Sequence, residues 1–149
     1  MTFKQKIHHH YTRQVQDKID VFRDMILALT EDSKNDAKGS AGDKHETALS
    51  MMHLEQEKLN YKLKEVLNQK AILDNIDASV SHTTIILGSL VQANGFYLYL
   101  SLALPKITID QFNIIALSPQ SPLGEKLLGR KVGFEFEING TQYRIDSIS

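Results

Sequence analysis

Asp43 and Glu46 stand three residues apart in the stretch Gly42-Asp43-Lys44-His45-Glu46-Thr47-Ala48, and at helical spacing two such carboxylates lie on one face of a single turn. A pair of this kind can share a hard cation. Mg²⁺ keeps several waters and takes one or two carboxylates together with phosphate oxygens, and a two-metal site steadies both the attacking and the leaving oxygen of a displacement. The same residues also compose a structural device, with Asp43 as N-cap and Glu46 at the third helical position, an acidic capping box favoured by the helix dipole. His45 beside them could carry a proton or bind a metal, although a lone histidine in a polar loop is usually only solvated. His8-His9-His10 could ligate a transition metal, but consecutive helical residues point in different directions and no nearby Asp, Glu or Cys completes a shell.

The elements that must position these groups are read from apolar spacing. Val15, Ile19, Phe22, Ile26 and Leu29 recur at intervals of four and three, with Tyr11 one turn upstream, which is the narrow seam of a coiled coil. This predicts a first helix over about residues 5–31. Leu49, Met52, Gln56, Leu59, Leu63, Val66, Lys70 and Leu73 keep the same rhythm and predict a second helix over about 44–76. Between them, Thr30 to His45 holds no large apolar residue but has Gly39, Ser40 and Gly42, so the chain is expected to bend there and fold back as an antiparallel helical hairpin. Lys58, Lys62 and Lys64 interleave with Glu55, Glu57 and Glu65, the pattern of a solvated coiled-coil face. Met51 and Met52 are read as packing.

From residue 78 the period changes. Thr84-Ile85-Ile86-Leu87, Phe96 to Leu104 and Asn113-Ile114-Ile115-Ala116-Leu117 read as strands, with Asn94-Gly95 as a turn and Pro105 ending the second strand. The run Ser118-Pro119-Gln120-Ser121-Pro122-Leu123-Gly124-Glu125-Lys126-Leu127-Leu128-Gly129 predicts one short helix, capped by Ser121, begun by Pro122 and ended by Gly129. Beyond it Phe134, Phe136 and Ile138 alternate with Glu135 and Glu137 up to Asn139-Gly140. That dipeptide predicts a two-residue type I′ hairpin pairing Ile138 with Thr141, Phe136 with Tyr143 and Phe134 with Ile145. The fold class is therefore α+β: a helical hairpin over 1–77, with its tip at about 30–47, and a small antiparallel sheet with one helix over 78–149.

Composition narrows the functions. With 17 Lys plus Arg against 18 Asp plus Glu the net charge is −1, so no bulk attraction draws the chain to nucleic acid, and direct DNA binding is not expected. Twelve of the basic and 13 of the acidic residues fall in positions 1–77, leaving five of each for the remainder, so the first half is the solvated half. No apolar run approaches the roughly 20 residues needed to span a bilayer, and the start lacks a signal peptide's apolar core. The absence of cysteine excludes disulfides and thiolate metal sites and agrees with a cytoplasmic location. The polar bend favours pairing within the chain, so a monomer is expected.

The C-terminal run and the hairpin after it resemble the signature of the GreA/GreB transcription elongation factors, over residues 118–148. The tip segment resembles that family's Gly-Asp-x-x-Glu-Asn-Ala-acidic-Tyr motif, with Asp43 and Glu46 at the acidic positions and Glu55-Gln56 matching its Glu-Gln pair. The resemblance implies an FKBP-like C-terminal domain that docks on bacterial RNA polymerase, with Ser118, Pro119, Ser121, Pro122, Leu123, Gly124, Leu128 and Gly129 as polymerase-binding residues. It further implies a coiled coil entering the secondary channel, where Asp43 and Glu46 help to hold a Mg²⁺ and a water at the polymerase active site, so that backtracked transcript is cleaved. On that reading the chain is an accessory factor and not itself an enzyme, has no cofactor of its own, and meets the RNA 3′ end only indirectly. Thr47, Leu49 and Ser50 stand where the family pattern has Asn, an acidic residue and Tyr. That departure supports a rival, a non-catalytic regulator occupying the same channel. A rival of another class, a prolyl isomerase or chaperone, follows only from the FKBP-like fold.

Overall fold

Thr2 opens the first helix with a reciprocal cap: its Oγ1 accepts from the Gln5 N–H at 3.1 Å while Gln5 Oε1 accepts from the Thr2 N–H at 2.8 Å, satisfying two otherwise orphaned donors. In this computed structural model α1 runs Phe3–Gly39 and α2 runs Asp43–Asp74. Residues 1–39 and 43–149 are described, with the side chains at positions 33, 35–39 and 43–45 outside the described set. The first helix continues eight residues beyond the 31 expected of it. Glu31 to Lys38 lack a seam residue, but they also lack proline and glycine, and loss of amphipathicity alone does not break a helix.

The chain divides into two compact units, Met1–Thr12 with Ile72–Ser149, and Arg13–Ala71. In the helical unit, Val15, Ile19, Leu59 and Val66 are buried and Phe22, Ile26, Leu29, Met52 and Leu63 half-buried, as the seam spacing predicts. Lys18 and Phe22 share a cleft with Lys62 and Val66, and Met25 and Leu29 share one with Glu55 and Leu59, so the helices run antiparallel. The polar seam position Gln56 donates from Nε2 to Thr30 Oγ1 at 3.0 Å. Lys58, Lys62 and Lys64 are exposed. Met51 is 67% exposed, so it does not pack as expected, because it lies on the side of α2 away from the seam.

The other unit holds strands β1 (Leu90–Ala93), β2 (Phe96–Leu100), β3 (Leu104–Ile109), β4 (Phe112–Leu117), β5 (Glu135–Ile138) and β6 (Thr141–Ile148), with α3 (Pro122–Leu127) between β4 and β5. The strand order is β3-β4-β2-β1-β6-β5. The sheet is mixed and not antiparallel throughout, because β4 lies beside β2 in parallel, with Tyr97 opposite Ile114 and Leu100 opposite Leu117. Residues 84–87 are not a strand: Ile85 is buried and bonds through its backbone to Gly129 and Arg130, whereas Ile86 and Leu87 are exposed. Pro105 does not end a strand but sits within β3, where its missing N–H is tolerated because β3 is a sheet edge and the ladder is irregular between Leu104 and Ile107.

One face of the sheet gathers Val91, Leu98, Leu100, Leu117, Phe136 and Ile145 with Ile85 and Leu127 into a core. The opposite face carries Tyr97 and Tyr99 and is covered by the start of α1. There Phe3 packs on Tyr97 and Phe112, and Tyr11 stacks on Tyr99 and donates its hydroxyl to Pro105 O at 3.0 Å. Tyr11 thus serves the sheet instead of prolonging the coiled-coil seam.

Candidate functional site

The C-terminal motif is built by a chain of short-range bonds. Ser121 is the N-cap of α3: its Oγ accepts from the Gly124 N–H at 3.0 Å and donates to Ser118 O at 2.6 Å, while Pro122 occupies the first turn. Ser118 Oγ accepts from the Gln120 N–H at 3.1 Å, closing the turn ahead of the helix. This close folding explains Gly124. A Cβ at that position would collide with the Ser118 carbonyl oxygen and come within 2.9 Å of Pro119 Cα. Gly129, at φ +79°, lets the chain leave the helix and donates its N–H to Ile85 O at 2.8 Å, and the Ile85 N–H returns to Arg130 O at 2.9 Å.

Of the residues the resemblance assigns to polymerase binding, Gly124 is buried and Leu123 packs partly against the core, so both have structural duties. Ser118, Pro119 and Ser121 are half-buried, and Pro122, Leu128 and Gly129 are exposed. The hairpin beyond follows the expected register, with Ile138 opposite Thr141 and Phe136 opposite Tyr143. The Ile145 N–H donates to Phe134 O at 3.0 Å. Asn139 and Gly140 both have positive φ, 50° and 81°, as a type I′ turn requires.

At the other candidate site, Asp43 begins α2, but its side chain and that of His45 lie outside the described residues. Glu46 is exposed in the first turn. Among the described residues no group of three or more His, Asp or Glu side chains is placed to hold a metal ion. Thr47 and Ser50 are exposed, and Leu49 is half-buried at its seam position.

The histidine run does not converge. His8 Nδ1 lies 2.7 Å from the Tyr99 hydroxyl, His9 is exposed, and His10 meets Tyr11 edge-on. Burial pushes His8 below the ordinary imidazole value, against the opposing pull of Asp74. Burial also raises the Tyr99 phenol above its ordinary range and pushes Tyr11 up to about 12.

Two features escaped sequence reasoning. Lys4 is 4% exposed, donates from Nζ to Val80 O at 2.8 Å, and is lowered by burial with Asp77 opposing; a lysine in a polar N-terminal run gives no signal of burial. Ile86 and Leu87 look like strand core in sequence and stand in solvent instead.

No family model matches the chain, and no curated protein matches it. Among solved structures, one described as the transcription factor Gfh1 is similar: the alignment covers 92% of each chain at 16% identity, with a TM-score of 0.35. No described helix is long and apolar enough to cross a membrane.

Proposed function

We propose that this chain is a Gre-like transcription elongation factor that binds bacterial RNA polymerase through the secondary channel and stimulates the polymerase's own cleavage of backtracked transcript. The observation that carries the reading is the segment 118–148, where the Gre-like sequence signature coincides with a Ser121-capped α3 and a type I′ hairpin in the register expected from Asn139-Gly140. The antiparallel helices of the Arg13–Ala71 unit are the element that would enter the channel, with Asp43 and Glu46 at the start of α2.

In this mechanism Mg²⁺ at the polymerase active site supplies charge stabilisation to phosphate oxygens. The chain's part is to bring two carboxylates to that centre, where Asp43 and Glu46 would hold the ion and accept hydrogen bonds from a water, orienting it toward the scissile phosphate. The globular unit docks the factor through the α3 motif. With net charge −1, nucleic acid is met through the polymerase and not by direct attraction.

A second reading is favoured by Leu49, which fills a seam position where the family pattern has an acidic residue: the chain occupies the channel and competes with cleavage factors without promoting hydrolysis. One experiment tests both. In a stalled, backtracked elongation complex of the cognate polymerase with Mg²⁺, transcript cleavage is compared for the wild type and Asp43→Ala/Glu46→Ala, with binding measured in parallel. Cleavage lost only in the variant supports the tip mechanism. Binding without wild-type cleavage makes the protein a channel-occupying regulator, and absence of binding sinks the polymerase reading.

A further inference from the structure

The N-terminal end of α1 carries a buried cation and no acid. Thr2 caps the helix and Phe3 and Lys4 begin its first turn, where the helix dipole favours negative charge, yet that turn holds no Asp or Glu. Lys4 is nonetheless only 4% exposed, and a lysine so deeply placed is ordinarily paired with a carboxylate. Lys6, one turn position away, has such a partner in Asp110 at 3.2 Å, whereas among the described residues no carboxylate lies within ion-pair distance of Lys4. Its Nζ donates to Val80 O at 2.8 Å, a bond that uses one of the three ammonium hydrogens and neutralises none of the charge.

Neighbouring groups feel this charge. Burial lowers Lys4 below the ordinary lysine value, with Asp77 as the opposing carboxylate. Asp77 is itself exposed and turned to Ser79, its Oδ1 accepting from the Ser79 N–H at 3.0 Å and from the Ser79 hydroxyl at 2.5 Å. His82 is lowered by burial and by the charge of Lys4. The compensation that a buried cation requires is therefore incomplete within the chain.

Lys4 lines an open cleft of about 310 Å³ that lies within the globular unit, a size suited to a small molecule. Phe3, Val80 and Tyr97 supply an apolar wall, and Ser81, exposed on the same cleft, adds a hydroxyl donor. Ser149 lines it too, with its N–H and carbonyl both engaged by Leu90. We propose that this cleft binds a small organic acid, its carboxylate on the Lys4 ammonium and the Ser81 hydroxyl and its apolar body against Phe3 and Tyr97. A single cation matches a single negative charge. An inorganic phosphate dianion would bring a second charge with no cation to meet it, and no body to cover the apolar wall. The site is independent of the polymerase reading.

The test follows the full chain alone by nitrogen-resolved NMR as benzoate or hexanoate is added, with benzamide as an uncharged counterpart and inorganic phosphate as an anion without an apolar body. At least one of the two acids should move the amide resonances of Val80, Ser81 and Tyr97 saturably, at concentrations where benzamide and phosphate do not, and should raise the thermal midpoint. Lys4→Met keeps the side-chain length and removes the charge, and it should weaken acid binding about tenfold or more, equivalent to about 1.4 kcal/mol. Ser81→Asp sets a like charge at an exposed position and should weaken binding in the same direction; it carries the test should Lys4→Met fail to fold. If neither acid moves these resonances at millimolar concentration, the site is overturned. Benzamide or phosphate binding as tightly as the acids, or acid binding unchanged in either folded variant, would overturn it as well.

Discussion

His8 and Tyr99, 91 positions apart in sequence, meet at 2.7 Å between imidazole Nδ1 and phenol oxygen, beneath the face of the sheet that α1 covers. Burial disfavours the charged form of each group, lowering His8 and raising Tyr99. With the phenol held protonated, it donates to the unprotonated Nδ1. The pair therefore belongs to a state in which both rings are neutral.

This gives a pH dependence with a definite sign. The folded pKa of His8 lies below the ordinary 6.5, so below that pH the unfolded chain takes up a proton that the folded chain resists. Stability is fully present above 6.5 and is lost as pH falls through it toward the folded value. Asp74 opposes the shift and Lys4 and His9 add to it. The thermal midpoint of the full chain should decline on acidification from neutral pH, and His8→Gln should flatten the decline. A midpoint equally pH-dependent in the variant would remove His8 as the cause. NMR titration of the imidazole gives the shift directly.

Gly124 lies in the signature run, and the structure gives it a steric reason. Because the Ser118 carbonyl and Pro119 Cα stand where a Cβ would go, Gly124→Ala must push the turn away from α3. The cost should be about 1–3 kcal/mol, as for overpacking generally, read as a shift in the urea midpoint. Ser121→Ala, which removes the cap on the Gly124 N–H, should cost about 1 kcal/mol, and Ser121→Asp should recover most of it. Unchanged stability in Gly124→Ala would mean that this glycine serves a partner and not the fold.

Much of this molecule was legible in short sequence signals, and what was missed has a common cause. Asn139-Gly140 and Asn94-Gly95 announce turns because positive φ at two successive residues suits those types, and the register expected from Asn139-Gly140 is observed, whereas Asn94-Gly95 joins β2 to β1 (Leu90–Ala93) and not to residues 84–87. Asp110-Gln111 makes a turn with the same positive φ values, 52° and 72°, without a glycine to reveal it. Ile7 and Tyr11 fit the seam spacing of α1, yet they are buried in the globular unit, since a helical stripe does not say which surface it meets. The parallel pairing of β2 with β4 is likewise a tertiary choice, invisible to alternation within either strand. The tip pair was legible as a motif in sequence, while the side chain of Asp43 lies outside the described residues. Ile86 and Leu87 were misread because a run of β-branched and leucine residues predicts burial, and only the backbone pairing of Ile85 with Gly129 and Arg130 turns them outward.

Tyr11 provides a test of how far the first turns of α1 serve the sheet. Its hydroxyl donates to Pro105 O, and its ring stacks on Tyr99 with centroids 6.4 Å apart. Tyr11→Phe should cost about 1 kcal/mol for the lost hydrogen bond, since Pro105 O is left without that donor. Tyr11→Ala should cost about 3–5 kcal/mol, in the range of large aromatic truncations in a core. Near-UV circular dichroism, which reports the packing of Tyr97 and Tyr99, should weaken in Tyr11→Ala and stay near wild type in Tyr11→Phe. Equal costs for the two variants would place the contribution in the hydrogen bond instead of the ring.

The polar seam contact in the helical unit can be separated from its packing. Gln56 Nε2 donates to Thr30 Oγ1, which itself donates to Ile26 O at 2.9 Å. Thr30→Val removes the acceptor and leaves a half-buried amide short of a partner, so it should destabilise by about 1 kcal/mol, the low end of the penalty for an unsatisfied donor. Gln56→Leu restores an apolar residue to a seam that is otherwise apolar on either side, at Met52 and Leu59, and the hydroxyl of Thr30 keeps its bond to Ile26. The double variant Thr30→Val/Gln56→Leu should therefore be no less stable than the wild type, because replacing both partners of a buried bond by apolar groups of similar shape is close to neutral. A thermodynamic cycle on the full chain, followed by far-UV circular dichroism in urea, measures the coupling. If the double variant lost the sum of two large single costs, the bond would be worth more than its surroundings allow, and the seam would depend on that polar contact more than on its leucines.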